Sequence, residues 1–413
     1  MSTIVRWMGL LFLTTACLAA ERPGNFAPLG PGGGGAMFNP TISPHDPNTV
    51  LISCDMTGSY ITHDGGQSWR MFNLRGVVKY FAFDPIDAKT MYAGNHVLWR
   101  STDSGETWTM VYPKPAAVKA IKMNPDHADE TIIADPNPLG EIVALTVDPA
   151  DHRVLYAAAG KNKTFSLFVS RDSGDSWQEL NQLSEQPRRI WIDPRTPSDA
   201  RTVYIAGAHT IEVRSAAGFQ NFPAPFDLID VSLGFANDGK PTFYAASPKG
   251  LFISNDGGAN WIEDKLPGSG ARVRAVGTSL HNPEVAYASY SQLVEGNEIL
   301  NKLRGEGEKW FGVAKTVDGG KNWQLVWKES SKAAANVHDA WITERLGPGW
   351  AENPLEIGVA DQDPNLAYGT DFGRTMKTSD GGSNWTAVYS HKIPGGAWSS
   401  TGLDVTTNYG IHF

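Results

Sequence analysis

Two aspartates of this 413-residue chain are placed for acid–base chemistry, and a repeat shows why. An octapeptide frame, Ser/Thr-x-Asp-x-Gly-x-x-Trp, begins at Thr62, Ser101, Ser170, Ser254, Thr316 and Thr378. The position nine residues before each frame aspartate holds Asp55, Gly94, Lys163, Ser247, Lys309 and Asp371, so only the first and last copies carry a carboxylate there. If the copies are successive units of a closed ring, the first and last are neighbours, and Asp55 and Asp371 face one cleft. Paired carboxyls across a cleft suit glycosidic bond cleavage: one protonates the leaving oxygen while the other activates water. The same two residues would also serve as turn aspartates that only stabilise hairpins.

The aspartates inside the frame read differently. Asp64, Asp103, Asp172, Asp256, Asp318 and Asp380 each stand where a carboxylate accepts backbone N–H groups across its own turn. The frame glycine supplies a positive φ and the tryptophan covers the turn. These six are structural. An offset of nine residues spans one strand, so Asp55 and Asp371 fall at the end of the unit opposite the frame.

The elements that must position them repeat as well. Each frame follows a β-like run such as Leu98-Trp99-Arg100 or Leu251-Phe252-Ile253. Upstream lies an apolar strand ending in a Pro-containing turn, as in Phe83-Asp84-Pro85, Val147-Asp148-Pro149, Ile192-Asp193-Pro194 and Val359-Ala360-Asp361-Gln362-Asp363-Pro364. The unit is four antiparallel strands, a propeller blade. The 84-residue gap between Asp172 and Asp256 holds a further strand pair, Val203–Gly207 and Thr210–Arg214, with no frame of its own. The expected fold is therefore all-β: a seven-bladed β-propeller of four-stranded antiparallel blades. Three longer loops, at Asn124–Glu141, Gln292–Trp310 and Lys328–Leu355, are expected walls of a binding surface. Trp310, Trp341, Trp350 and Trp398 lie in or beside loops, outside the repeating Trp position. They are candidate platforms for sugar rings, or else anchors for the loops themselves.

Composition narrows the partners. A formal charge of −9 offers no basic footprint for nucleic acid or anionic lipid, so a neutral polar ligand fits better. No segment is apolar for long enough to span a membrane, the histidines show no metal-ligand spacing, and no cofactor is implied. Residues 1–20 read as an export signal, with Arg6, an apolar run from Trp7 to Leu13, and small residues through Ala20. Lipidation at Cys17 is the competing reading of that segment, although Thr14 stands where lipoprotein signals carry Leu. Residues 21–353 are expected to hold the N-terminal blades. Residues 354–413 are read as the last blade or the start of a second propeller. The tail Gly402–Phe413 looks like the opening strand of another unit, which favours a fragment of a longer protein over closure of the ring through this strand.

The frame resembles the Asp-box (BNR) repeat of sialidases, sortilin-type receptors, photosystem assembly factors of the Ycf48/Hcf136 type, and the two-propeller xyloglucanases of glycoside hydrolase family 74. Gly32–Gly35 through Asn39-Pro40, followed by Asp55-Met56-Thr57-Gly58-Ser59-Tyr60, looks most like the N-terminus of the xyloglucanases. That resemblance implies that Asp55 is a catalytic acid/base with Tyr60 just behind it. It also implies inverting hydrolysis of a β-glucan or xyloglucan-type polysaccharide, with carboxyls about 6.5–9.5 Å apart. In that family the partner carboxylate comes from a second propeller. Asp371 is the counterpart available here, in Thr370-Asp371-Phe372-Gly373-Arg374, where Arg374 replaces a Gly. The rival readings are a non-catalytic propeller that binds a protein or glycan and, more distantly, an exo-sialidase, for which the Arg-Ile-Pro segment and arginine triad are missing.

Overall fold

The computed structural model describes residues 35–55, 58–124, 129–237, 239, 241–296, 308–330, 336–340, 353–396 and 398–403. Seven sheets of consecutive strands stand around one axis, each antiparallel and each contributing its first strand to the centre. The inner strands are Met37–Ile42, Tyr80–Phe83, Glu141–Val147, Arg189–Ile192, Asp230–Phe235, Arg272–Thr278 and Glu356–Val359. A single turn of 3-10 helix, Pro115–Ala117, is the only helix among the described residues, and no described helix is long and apolar enough to cross a membrane.

The octapeptide turn makes the seams between blades. In the first copy the Thr62 hydroxyl donates to Asp64 Oδ1 at 2.7 Å, Asp64 Oδ1 accepts Ser68 N–H at 2.9 Å, and Gly66 N–H reaches Thr62 Oγ1 at 2.9 Å. The pattern recurs at Asp103, Asp172, Asp256, Asp318 and Asp380. Those bonds hold the Asp103 carboxyl down at about 2, the side-chain bond from Thr107 contributing most. The frame glycine is required twice over. Gly66 has φ +94°, and a Cβ there would lie 2.8 Å from Val388 Cβ of blade 7. The corresponding glycines of the other frames meet Ile61, Val111, Ile211, Ile253 and Val326, each on the preceding blade.

Blade 4 shows what replaces the frame. Its strands Val203–Ala206, Thr210–Ser215 and Gly218–Pro223 follow the inner strand, and the last two are joined by a tight turn in which Ser215 pairs with Gly218. The strand pair read from the sequence is therefore a full blade.

Blade 7 packs directly on blade 1 and closes the ring. Trp69 Nε1–H donates to Val388 O at 2.9 Å, Lys377 Nζ to Gly65 O at 2.8 Å and Tyr368 OH to Gly65 O at 3.2 Å. One buried cluster joins Ile52, Tyr60 and Trp69 to Tyr368, Met376 and Trp385. Chain beyond blade 7 folds back as a hairpin, Ser390–Lys392 with Trp398–Ser400, and Trp69 N–H donates to Thr401 O at 2.7 Å. The tail from 404 and residues 1–20, read above as an export signal, lie outside the described residues.

Two of the expected loops contain strands. The connection from blade 2 to blade 3 carries the hairpin Val118–Met123 with Glu130–Ala134. The connection into blade 7 includes Val337–His338, which runs parallel to Trp385–Thr386 on that blade's outer edge. Both lie between blades, where no repeat periodicity reports them.

Candidate functional site

Antiparallel order puts the Asp-Pro turns and the octapeptide turns on one face, and the hairpins joining second to third strands on the other. Asp55 follows the second strand of blade 1, Val50–Cys54, and Asp371 follows that of blade 7, Ala367–Thr370. Both therefore stand on the hairpin face, as the offset predicts. They also share a neighbour, because Asp55 N–H donates to Ala36 O and Met37 N–H donates to Asp371 O, each at 3.3 Å. The ring thus brings the two residues to adjacent hairpins across the start of the first inner strand.

Their environments differ. The Asp55 carboxylate is partly exposed and takes the Cys54 thiol at 3.4 Å. Asp371 is 3% exposed, and its carboxylate is filled by Gly373 N–H at 2.9 Å, Arg374 N–H at 2.6 Å and Arg374 Nε–H at 2.8 Å. Arg374 is fully buried. Its other arm reaches Glu329 Oε2 of blade 6 at 2.8 Å, its guanidinium lies 5.0 Å from the Trp327 ring centroid, and Trp327 Nε1–H donates to Glu329 at 3.1 Å. Burial pushes the Asp371 carboxyl up, with Arg374 opposing it. The clasp Glu329–Arg374–Asp371 ties blade 6 to blade 7 and, through the Asp371 carbonyl, to blade 1.

Tyr60 is 1% exposed and its ring is packed in the core at the seam between blades 1 and 7. Trp310 is half-buried under Lys328, whose Nζ lies 4.2 Å from the ring centroid, and Trp398 pairs with Lys392 at 5.3 Å. Trp341 and Trp350 lie outside the described residues.

Two further acids line the axis of the ring. On the hairpin face, a cavity of about 300 Å³ is bordered by Asn39, Lys79, Arg188, Arg189 and Glu356. Asn39 has φ +53° within a register shift between Phe38 and Thr41, which turns its N–H out of the strand ladder and onto the Glu356 carboxyl of blade 7. Burial raises the Glu356 carboxyl to about 7, Arg189 opposing and Asp230 adding to the rise. Arg189 and Asp230 pair at 2.9 Å, and Lys79 pairs with Glu141. On the other face, a cavity of about 530 Å³ also reaches Asp361, and Asp361 and Trp191 line both cavities. The repeat concealed both acids because the inner strands carry no frame. The one available signal was an aspartate, Asp361, where the first four blades place Pro after the strand.

A family model for the BNR/Asp-box repeat matches residues 60–71, the first octapeptide and its flanks. The chain is an Asp-box β-propeller. Over 86% of its length this propeller is 22% identical to a xyloglucanase of Paenibacillus sp. and to the xyloglucanase Xgh74A of Acetivibrio thermocellus. It spans only 39% and 47% of those two proteins. Among solved structures, the propeller superposes on the GH74 xyloglucanase of Xanthomonas campestris with a TM-score of 0.59 at 18% identity, covering 87% of this chain and 55% of that one. The GH74 enzyme of Niastella koreensis gives 0.59 at 17%, covering 91% and 58%. Ycf48 bound to a D1 peptide gives 0.52 at 12%, covering 86% and 97%.

Proposed function

We propose that this Asp-box propeller is an exported glycoside hydrolase unit acting on a neutral β-glucan or xyloglucan-type polysaccharide, with Asp55 as a catalytic acid/base. The observation that carries the reading is the contrast on the hairpin face. Asp55 is a partly exposed carboxylate met by one weak thiol donor, whereas Asp371 beside it has its oxygens taken by three donors. A carboxylate must be free to exchange a proton with substrate or water if it is to work as acid or base. Asp55 meets that requirement, and Asp371 serves the neighbouring hairpin as a positioning residue. The second carboxyl of a two-acid mechanism then comes from another part of the full protein. The xyloglucanase relatives, more than twice as long as the region matched, leave room for it. The acidic net charge and the 1–20 segment accord with an exported protein acting on an uncharged polymer. Trp310 and Trp398, and the indoles Trp341 and Trp350, are the proposed platforms for sugar rings.

A second reading is a non-catalytic propeller that binds a glycan or a protein. It is supported by the match to Ycf48 over nearly the whole of that single-propeller chain. Assay of the full-length gene product on xyloglucan and mixed-linkage β-glucan, beside Asp55→Ala, separates the two. Reducing ends released by the wild type and lost in the variant support the hydrolase. Saturable binding of the polysaccharide with no turnover supports the binding module.

A further inference from the structure

The Asp-box face carries a second opening that the proposed hydrolysis does not use. There the Asp-Pro turns converge on a cavity of about 530 Å³, within the range of small-molecule sites. In five of the blades the turn begins with the same hydrogen bond, seen as Ser43 N–H to Thr49 O, Asp84 N–H to Thr90 O, Asp148 N–H to Val154 O, Asp193 N–H to Thr202 O and Ala360 N–H to Leu366 O. The next residue is Pro44, Pro85, Pro149 and Pro194 in the first four blades, and all four line the cavity. In blade 7 it is Asp361, which lines the same cavity. One carboxyl therefore replaces the fifth member of an apolar collar.

A lone acid in a proline ring carries a cost that turn geometry does not explain. The aspartates one position earlier, Asp84 and Asp148, cap their own turns through N–H groups two residues on, at 2.8 Å each. The Asp361 carboxyl caps no turn of this kind and lies beside Leu280 and His281 of blade 6, which line the same cavity. Burial raises its carboxyl, and His281 opposes the rise. No hydrogen bond from the His281 or Gln362 side chains, or from the Trp191 indole N–H, is formed among the described residues, and all three residues line the cavity. Its wall thus offers flat apolar surface from Trp191, Phe83 and the prolines, and uncommitted polar groups around Asp361. The carboxyl in the lining disfavours an anion, no group of three His, Cys, Asp or Glu among the described residues is set to hold a metal ion, and the polar cluster disfavours a hydrocarbon. A pyranose matches this set, with a C–H face for the rings and hydroxyls that both donate and accept.

We propose that the axial basin on the Asp-box face, centred on Asp361 and Trp191, is a binding site for a neutral pyranose. The site is separate from the Asp55 hairpin and does not depend on hydrolysis. An enzyme with such a basin would hold a product or chain end on the face opposite its catalytic one.

Titration of the full chain with D-glucose, D-xylose, D-galactose and cellobiose by ligand-observed NMR and calorimetry tests this. The expected result is saturable binding of at least one of them at millimolar concentration. Asp361→Asn should weaken it about tenfold or more, Trp191→Phe should weaken it less, and Asp55→Ala should leave it unchanged. His281→Gln is the second variant, chosen because an exposed side chain is replaced and folding is spared; it too should weaken binding. Binding unaltered in Asp361→Asn and His281→Gln, binding abolished in Asp55→Ala, or no saturable binding of any of the four sugars would overturn the proposal. Because the readout is binding at Asp361, it stands or falls apart from glycan hydrolysis at Asp55.

Discussion

Arg374→Met should be the most damaging single substitution on the hairpin face. The guanidinium is fully buried and makes two ion pairs at 2.8 Å, with Asp371 and Glu329, and it lies 5.0 Å from the Trp327 ring. Removing one partner of a buried pair costs about 3–5 kcal/mol, because the abandoned charge stays in a poorly solvated site. Here two carboxylates are abandoned and a cation–π contact of about 1 kcal/mol is lost. Relaxation and water entry offset part of this, so about 4 kcal/mol is expected, or roughly 5 °C in Tm for a cooperative unit of this size. The pH dependence has a defined sign. Without the cation, the folded-state pKa of Asp371, already raised by burial, rises further above its unfolded value. Stability is then retained below about pH 4 and lost as pH rises, so the deficit is largest above neutrality and narrows toward acid. Glu329→Gln in the same background removes one orphaned charge and should recover part of the loss. Thermal unfolding followed by circular dichroism from pH 4.5 to 8 checks both points. A variant within 1 °C of the wild type at pH 7.5, or a deficit that grows toward acid, would refute the clasp.

Other consequences concern the ring closure. Glu356→Gln mimics the protonated carboxyl facing Asn39. Because the folded-state pKa is raised to about 7 from 4.5, this group's stabilisation is complete below pH 4.5 and lost as pH rises through 7. The variant should therefore match the wild type near pH 4.5 and exceed it by about 1–3 kcal/mol at pH 8, read from denaturant unfolding at the two pH values; equal stability at pH 8 would count against it. Gly66→Ala forces a left-handed φ on alanine and drives a Cβ into Val388, so about 2–4 kcal/mol should be lost. Gly250→Ala has φ +135° with nothing within 4 Å of the added carbon, and should cost only about 1–2 kcal/mol. Parallel melts of the two alanine variants rank them, and the reverse order would show that the frame glycine does not set the seam.

Much of the ring was legible because its information is local. Each frame holds Asp, Gly and Trp within eight residues, and the bonds its aspartate makes, such as that from Ser68 N–H to Asp64, stay inside the turn. The offset of Asp55 and Asp371 was legible for the same reason, since strand length fixes which end of a blade a residue reaches. What the chain order hides are contacts between its ends and across its axis. Arg374 was visible only as a residue standing where a Gly was expected. Its partner Glu329 lies 45 residues away, on a different blade. Glu356 meets Asn39 across 317 residues, through a bulge that no strand pattern announces. Tyr60 reads as a residue flanking a catalytic aspartate, yet a tyrosine at the seam between the first and last blades is drawn into their shared core. Its position shows that nearness in sequence to Asp55 does not fix which way a ring faces.

The most direct measurement is the stereochemistry of hydrolysis by the full-length gene product, followed by proton NMR on xyloglucan oligosaccharide from the first minutes of reaction. The account predicts product first seen as the α-anomer, the inverted configuration, with Asp55→Asn giving none while keeping the wild-type melting temperature. Release of product at an undiminished rate by Asp55→Asn would contradict it.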